Sequence, residues 1–359
     1  MRVAFVLPET TRHRDRPGAA RLERVAGLLA DRGHDVTVFC AQWWNDYSAE
    51  RVVDGVRYRG LTVGAATASF ASRLPVALAR VRPDVVHARL LPARVTLAAA
   101  AGSTLVRAPL VAEQFGTDLI EGRLGRAAVR AADRIVVPSE LVRTAVREHG
   151  ASETDTTVIP ESIAYPEIEA TDPEPEIDVA YAHRLDETAN LESLLLALAE
   201  LRTLGWTATI VGDGPQRAAY ERQAEKLRID DRVRFVGAPD RRRRLAVYRS
   251  AHAFVQTATR SVFPTELLWA LAAGCVGIVE YHAESSAHEL IESYDRSFRV
   301  TDTAAMAAAI ESAGELERRT VDDRWRAFGH ERVIEQYTDL YEALTGGERS
   351  REPIAVGDG

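Results

Sequence analysis

Lysine, cysteine and long apolar runs are scarce in this sequence. Lys226 is the only lysine among 45 basic residues. Such a preference for arginine reflects adaptation of the surface to its solvent and does not indicate an activity. The two cysteines, Cys40 and Cys275, lie in apolar stretches, which excludes a disulfide framework or a cysteine zinc site and predicts buried thiols. The longest apolar run, 267–279, contains glycine and is too short to span a bilayer. Because the chain also opens directly on the strand-like RVAFVL, we predict a cytoplasmic protein.

An excess of positive charge is missing too. The formal net charge is −8, which argues against nucleic acid as a partner because nonspecific binding relies on a dominant basic face. Hydrophobic residues make up 46% and charged residues 27% of the chain, as is ordinary for a soluble globular protein. At 359 residues the chain is longer than one core usually supports, so we expect two domains.

Apolar, strand-like runs alternate with helical stretches along most of the chain. RVAFVLP, DVTVFC, RPDVVHA, APLVAEQF and ADRIVVPS are separated by alanine- and leucine-rich segments, which predicts a mainly parallel sheet with crossover helices. The proline- and glutamate-rich PESIAYPEIEATDPEPEID interrupts the pattern, and IDVAYAH, TATIVGDG, RVRFVG and AFVQTA resume it. The predicted fold class is α/β, with two tandem Rossmann-like domains whose parallel sheets face a central cleft.

This alternation also predicts where the domains begin and end. We expect a first domain over 1–165, a linker over 166–177, a second domain over 178–325, a terminal helix over 326–345 and a disordered tail over 346–359. Open parallel sheets bind ligands outside the carboxyl ends of their strands, so the candidate sites are expected in the loops there.

One such loop reads IVGDGPQR, a strand followed by a tight turn and a proline that opens a helix. Gly212 and Gly214 would let the backbone approach a bound ligand closely. A dinucleotide fingerprint needs a third glycine at the start of the helix, and GDGPQR has none. A plain strand-to-helix turn remains the alternative to a donor-binding loop.

A second loop, FPTELLWALAAG, enters a helix at Phe263 and Pro264. Proline is preorganised for a first helical position, and the amides of 265–268, including those of Thr265 and Leu267, would then be unpaired at the positive end of the helix dipole. Such an end can hold phosphate.

Two arginines are expected beside this helix. Arg260 lies just upstream of it, and Arg184 follows the first strand of the second domain, in AHRLDE. Two guanidinium groups and a helix N-terminus predict a diphosphate site. A solvated surface charge is the alternative for either arginine.

Glu266 is the acid nearest to this predicted site. We consider it a candidate acceptor for a sugar hydroxyl, with helix capping as the structural alternative. Acids in VEYHAESSAHELIE, notably Glu289, are competing candidates.

The order of these segments resembles the retaining glycosyltransferases of family 4, which have the glycosyltransferase B (GT-B) fold. The similar blocks include RVAFVLPE, RPDVVHAR, AADRIVVPSE, IVGDGPQR, VYRSAHAFVQTA and ALAAGCVGIVE, and they cover nearly the whole chain in the family's order. ERVIEQYTDLYEAL is similar to the family's last helix, which crosses back to the first domain.

The resemblance implies a hexosyl transfer from a nucleoside-diphosphate-sugar donor to a glycan, polysaccharide or lipid-linked acceptor. It implies retention of configuration, no metal and no cofactor beyond the donor substrate. In this fold the second domain holds the nucleotide and the first holds the acceptor. A lipid-linked acceptor would add a peripheral contact with the inner face of the membrane.

Several functional residues of the family are replaced here. Its E-x7-E glutamates fall at Ser261 and Trp269, neither of which is acidic. Of the arginine and lysine that clamp the donor diphosphate, the arginine matches Arg184 and the lysine falls at Ala189. A first-domain histidine falls at Phe115. Serine, tryptophan and alanine cannot reproduce the charge-assisted hydrogen bonds of the residues they replace.

Other positions match the family. The resemblance assigns Gly18 and Glu289 to the donor side, and it assigns His87, Gly116 and Asp118 to the acceptor side. His282 and His288 lack partners at a convincing metal spacing.

Three functions stay open at this stage. The first is the glycosyltransferase, and the second is a catalytically silent member that binds an active partner transferase. The third is a nonhydrolysing sugar-nucleotide epimerase of the same fold. The arginine run 241–244 would contact acidic lipid or, alternatively, form a solvated helix face.

Overall fold

The computed structural model describes residues 1–14, 17–64, 66–116, 122–201 and 205–346. Asp118 and nearly all of the predicted tail lie outside these residues.

The described chain forms two compact units. Unit 1 comprises Met1–Pro138, Val142–Ile159 and the described residues from 333 onwards, and unit 2 comprises Ser139–Leu141 and Pro160–Arg332. The chain therefore contributes a short segment, Ser139–Leu141, to the second unit, enters it fully after Ile159 and returns to the first at Val333. No helix among the described residues is long and apolar enough to cross a membrane.

Unit 1 is built around an eight-stranded sheet with the order β3-β4-β2-β1-β5-β6-β7-β8, in which only the β3–β4 pair is antiparallel. Its strands are β1 (Arg2–Val6), β2 (Asp35–Ala41), β3 (Glu50–Val53), β4 (Val56–Thr62), β5 (Val85–Arg89), β6 (Leu110–Glu113), β7 (Arg134–Val137) and β8 (Thr156–Val158). The helices are α1 (Pro17–Asp31), α2 (Thr67–Val81), α3 (Ala93–Val106), α4 (Gly122–Ala131) and α5 (Glu140–Glu148), whose first two residues belong to unit 2.

Alternate residues of the strands in unit 1 feed two apolar layers. In β1, Val3 and Phe5 pack on one side of the sheet against α1, while Ala4 and Val6 pack on the other side against α2 and α3. Both faces of the strand are thus buried, which explains why RVAFVLP reads as a continuous apolar run.

Unit 2 contains a six-stranded, fully parallel sheet with the order β11-β10-β9-β12-β14-β16 and a two-stranded parallel pair, β13–β15. The strands are β9 (Ile177–Ala182), β10 (Ala208–Val211), β11 (Val233–Phe235), β12 (Ala251–Gln256), β13 (Arg260–Ser261), β14 (Val276–Glu280), β15 (Glu284–Ser285) and β16 (Ser297–Val300). The helices are α6 (Tyr165–Glu169), α7 (Leu191–Glu200), α8 (Arg217–Leu227), α9 (Arg241–Ser250), α10 (Thr265–Ala272), α11 (Ala287–Ile291) and α12 (Thr303–Gly314), followed by a 3-10 helix (Asp323–Phe328).

The sheet of unit 2 is also covered on both faces. One apolar layer includes residues of α7, α8 and α12, and the other includes residues of α9, α10 and α11. The final helix, α13 (His330–Leu344), begins in unit 2 and belongs to unit 1 from Val333 onwards. The predicted α/β class with two Rossmann-like domains is confirmed.

Candidate functional site

A cavity of ≈ 350 Å³ in unit 2 lies at the carboxyl ends of β9 and β10. We call it the strand-end cavity. Its lining includes His183 and Arg184 after β9, Gly212 and Asp213 after β10, Ala238 and Pro239 after β11, and Arg244 and Glu266 from α9 and α10. Parallel strands bring their carboxyl-terminal loops to one edge of the sheet, so residues far apart in sequence meet here.

Gly212 and Gly214 pack the loops of this edge against each other. A Cβ atom on Gly212, which has φ +134°, would lie 1.9 Å from the His183 carbonyl oxygen. A Cβ atom on Gly214 would lie 2.3 Å from that of Leu185. Both glycines are therefore required by the approach of one protein backbone to another. Their predicted close approach to a ligand stays a prediction.

Arg184 lines the strand-end cavity. The side chain is 71% exposed, and its Nε lies 3.3 Å from Asp186 Oδ2. Burial opposes ionisation of Asp186, but hydrogen bonds from Thr188, assisted by the positive charges nearby, hold the pKa of Asp186 below its usual value. The arginine therefore has one weak ion pair and remains accessible to an anion.

Glu266 lies in the same cavity, but it does not cap its own helix. Its two carboxylate oxygens accept hydrogen bonds of 2.6 Å from Arg244 Nη1 and of 2.6 Å from the Tyr248 hydroxyl. Burial, and then the charge of Glu266, raise the pKa of Tyr248 well above its ordinary value, so the hydroxyl stays a donor. The capping alternative is therefore wrong, because both partners come from α9.

The N-terminus of α10 offers fewer unpaired amides than the sequence predicts. The Thr265 N–H donates to the Phe263 carbonyl at 3.0 Å, and the Leu268 N–H donates to that of Pro264 at 3.0 Å. Phe263 is buried in the apolar layer beneath α10, as is Leu267. The prediction that all four amides of 265–268 are unpaired is therefore wrong for the first and the last of them, Thr265 and Leu268.

Arg260 does not line the strand-end cavity. It lies on β13, where its Nε pairs with Glu284 Oε2 of β15 at 2.5 Å, and its side chain is 68% exposed. The structure thus brings Arg184 and Glu266 together and leaves Arg260 apart from them.

Glu289 is likewise engaged elsewhere in unit 2. Its carboxylate accepts the backbone N–H groups of Glu140 and Leu141 at 2.8 and 2.9 Å. Burial raises its pKa, against the effect of these two hydrogen bonds.

His87 is fully buried inside unit 1 and is not open to an acceptor. Its Nδ1 lies 2.6 Å from the Tyr341 hydroxyl, and its Nε2 lies 3.2 Å from Glu113 Oε2. Glu113 also accepts from Arg21 and, at 3.0 Å, from the Tyr337 hydroxyl. These five residues, which we call the buried polar cluster, join α1, β5, β6 and α13. The acceptor-side prediction for His87 is therefore corrected, because β5 is covered by helices on this face.

The other unit 1 positions lie near one another. A Cβ atom on Gly18 would lie 3.3 Å from that of Phe115, the residue at the family's histidine position. Gly116 adopts φ +142° and accepts a 3.0 Å hydrogen bond from the Gln114 amide. Their predicted roles stay predictions.

Two of the replaced family positions in unit 2 are occupied by packing groups. Ala189 is fully buried, and its carbonyl accepts hydrogen bonds from Tyr181 and Thr257. Trp269 packs against the apolar layer under α10. Neither side chain carries a charged group that could replace the family's ligands.

Arg244 is the site residue that sequence analysis missed. It belongs to the run 241–244, where Arg241 pairs with Glu167 at 3.3 Å and Arg243 with Glu174 at 3.6 Å. The available signal was the aspartate before the run, since Asp240 caps α9 and thereby fixes which arginine faces the cavity.

Two further observations concern metal and thiol chemistry. Within the part of the chain that the structure describes, no three His, Cys, Asp or Glu side chains are grouped to hold a metal ion. Cys40 and Cys275 are buried as predicted, and burial raises the pKa of each thiol to about 12.

Two family models match the sequence. Residues 19–164 match "Glycosyltransferase Family 4", and residues 167–331 match "Glycosyl transferases group 1". No curated protein matches the sequence significantly.

Solved glycosyltransferases of the GT-B fold share the architecture. A glycosyltransferase from Rickettsia africae has a TM-score of 0.78 at 13% identity, over 97% of this chain and 99% of its own. Sucrose-phosphate synthase from Thermosynechococcus elongatus has a TM-score of 0.73 at 18% identity, over 97% of this chain and 100% of its own. HepE from Anabaena in complex with UDP has a TM-score of 0.71 at 17% identity, over 96% of this chain and 100% of its own. HepE is also solved in complex with UDP-glucose. At these identities the likeness shows the fold.

Proposed function

Because this chain is a glycosyltransferase of the GT-B fold, we propose that it moves a sugar from a nucleoside-diphosphate-sugar donor to a glycan, polysaccharide or lipid-linked acceptor. Metal independence and retention of configuration are part of the proposal and rest on the resemblance to family 4. Unit 2 would hold the donor and unit 1 the acceptor.

The observation that carries the proposal is the strand-end cavity with the accessible guanidinium of Arg184. In sugar transfer the departing nucleoside diphosphate gains negative charge as the glycosidic bond breaks. A positioned cation that binds this charge more strongly in the transition state than in the ground state lowers the barrier. The binding of UDP and UDP-glucose by HepE, which has the same fold, supports a donor of this class.

The roles of the remaining residues follow from their surroundings. Gly212 and Gly214 shape the cavity by letting the loops meet, and Glu266 fixes the groups around it. On the acceptor side, Gly116 and Asp118 stay candidates from the resemblance.

Isothermal titration calorimetry with UDP, GDP and ADP tests the proposal. We expect one of the three to bind and the Arg184→Ala variant to bind it about tenfold more weakly, because a charge-assisted contact is lost. Arg222→Ala, on the exposed part of α8, is the matched control and should bind like the wild type. Absence of heat from all three nucleotides would contradict the donor site.

The silent-partner alternative is favoured by one observation, the packing of Ala189 and Trp269 where the family has polar ligands. It predicts that a bound donor sugar is neither transferred nor hydrolysed. Incubation with radiolabelled UDP-, GDP- and ADP-glucose, followed by separation of free sugar, distinguishes the two functions. Release of sugar only from wild type, and not from Arg184→Ala, would support the enzyme.

A further inference from the structure

We infer that Arg244 is a second anion ligand in the strand-end cavity and binds the donor diphosphate together with Arg184. Glu266 and Tyr248 are positioning residues that hold the guanidinium group of Arg244. This inference rests on the proposed function and deepens it, because it names a residue that neither the motifs nor the family matches assign.

The two arginines reach one cavity from different elements. Arg184 comes from the loop after β9, and Arg244 is the fourth residue of α9. The start of α9 is fixed because the Asp240 carboxylate accepts the Arg243 N–H at 2.9 Å. Two arginines that line one cavity from a loop and a helix can contact different oxygens of one diphosphate.

Arg244 is held in place more firmly than Arg184. Its Nη1 donates to Glu266 at 2.6 Å, and Glu266 is itself fixed by the buried Tyr248 hydroxyl at 2.6 Å. Its side chain is 34% exposed, against 71% for Arg184. A preorganised, partly desolvated cation binds an anion with less loss of side-chain entropy than an exposed one.

Arg244 keeps hydrogen-bonding capacity for a ligand. Guanidinium has five N–H donors, and the described contacts of Arg244 use those of Nη1 alone. Its Nε is enclosed and has no hydrogen-bond partner among the described residues. The donors left for a phosphate oxygen are therefore those of Nη2, which is neither enclosed nor hydrogen-bonded to a described residue.

Glu266 then has a predictable electrostatic effect. Glu266 lines the same cavity, and its negative charge competes with the diphosphate for the guanidinium group of Arg244. Glu266→Gln keeps an acceptor for one of its two partners and removes the charge. Diphosphate affinity should therefore rise by about threefold, as expected for a unit charge roughly 6 Å away in a solvated cavity. A sugar-binding catalytic carboxylate predicts the opposite sign.

The experiment compares UDP, inorganic pyrophosphate and uridine by calorimetry on the full chain. We expect Arg244→Gln to weaken the binding of UDP and of pyrophosphate about tenfold and to leave the binding of uridine unchanged. Arg242→Gln, the same charge change on the exposed side of α9, is the matched control and should alter neither. Arg244→Lys should recover part of the affinity, because the charge is kept and the fork is lost.

The outcomes separate this inference from the proposed function. If UDP binding depends on Arg184 but is the same in Arg244→Gln and wild type, the inference is overturned and the donor site stands. If no nucleotide binds but pyrophosphate still depends on Arg244, the donor proposal fails and the anion ligand stands. Weaker UDP binding in Glu266→Gln would overturn the electrostatic role of Glu266. Circular dichroism of each variant checks that it is folded, and Arg244→Lys replaces any Arg244→Gln protein that is not.

Discussion

At the scale of single residues, the strand-end cavity depends on glycines that pack closely against the backbone of neighbouring loops. Gly212 donates its N–H to the Gly237 carbonyl at 2.6 Å and leaves no room for a Cβ beside His183. The loop after β10 is thus fixed on both sides, and the shape of the cavity is set before any ligand arrives.

Gly212→Ala should destabilise unit 2 by about 3 kcal/mol, because a backbone clash adds to the strain of a positive φ. Gly237→Ala is the control, since φ is also positive there but the Cβ would meet only the end of the Arg217 side chain. We expect about 1 kcal/mol for the control. Urea denaturation followed by tryptophan fluorescence measures both, and equal losses would show that the clash is relieved by a loop shift.

Arg260→Ala should leave UDP affinity within about twofold of wild type, since an exposed, ion-paired side chain outside the cavity contributes little. Calorimetry beside Arg184→Ala makes the comparison direct. A loss as large as that of Arg184→Ala would restore Arg260 to the donor site.

Sequence reasoning placed Arg184 and Glu266 near one another because both follow predicted strand or helix boundaries in the second domain. It could not separate Arg260 from Arg184, since both are isolated arginines before or after a strand. It missed Arg244 because four consecutive arginines look alike, and only the rotation of α9 decides which one turns inward.

At the scale of elements, α13 is bound to unit 1 by the buried polar cluster. The Arg21 guanidinium donates to the Ile159 carbonyl and to the Tyr337 hydroxyl, both at 2.7 Å, and it pairs with Glu113. Each charged group of the cluster is almost fully enclosed, so each depends on its partners to stay ionised.

Arg21→Met should destabilise unit 1 by about 3–5 kcal/mol, because it leaves the charge of Glu113 buried without its partner. Arg2→Met removes an exposed pair with Asp84 and should cost at most about 1 kcal/mol. Urea unfolding measures the two together. A loss for Arg21→Met no larger than that for Arg2→Met would contradict a dependence of α13 on this pair.

The cluster also predicts acid sensitivity. Burial alone would raise the pKa of Glu113, but the charges and hydrogen bonds of Arg21 and His87 together outweigh it and lower the pKa from 4.5 to about 2. The native pKa is below the unfolded one, so this contribution to stability is complete above pH 4.5 and is lost as the pH falls towards 2. The stability difference between wild type and Glu113→Gln should shrink over that interval in urea titrations. A constant difference would contradict the lowered pKa.

The elements themselves were largely predictable. Continuous apolar runs such as RVAFVLP marked buried parallel strands, because such strands lie between two helical layers. The cluster was not predictable, since His87, Glu113 and Tyr341 are ordinary residues until the fold brings β5, β6 and α13 together. A histidine at a strand end suggested a ligand position, and the covering helix α13 made it a core residue.

At the scale of the whole molecule, the donor proposal confines the response to nucleotide to one part of the chain. Binding should slow amide hydrogen exchange in the strand-end segments 182–186, 211–216 and 238–244 of unit 2. Helix α12, on the other side of the six-stranded sheet from α9 and α10, should be unchanged. Exchange measured by mass spectrometry with UDP, and with uridine as control, tests this. Protection spread equally over both units would contradict a local site.

The overall class was readable from the alternation of strands and helices, since each βαβ unit repeats the same pattern. The path of the chain was harder to foresee. Nothing local in ERVIEQYTDLYEAL distinguishes a helix that closes unit 2 from one that completes unit 1, and only the resemblance to family 4 predicted the return.

The discontinuous course of unit 1 has a consequence for its synthesis. Arg21, His87 and Glu113 emerge from the ribosome more than two hundred residues before Tyr337 and Tyr341, which complete their hydrogen bonds. Until then the Arg21–Glu113 ion pair and the His87 imidazole of the nascent first unit lack the helix, α13, that covers them. Unit 1 can therefore complete its folding only after the whole of unit 2 has been synthesised. A stalled or truncated chain would leave the interior of unit 1 uncovered and accessible to chaperones and proteases.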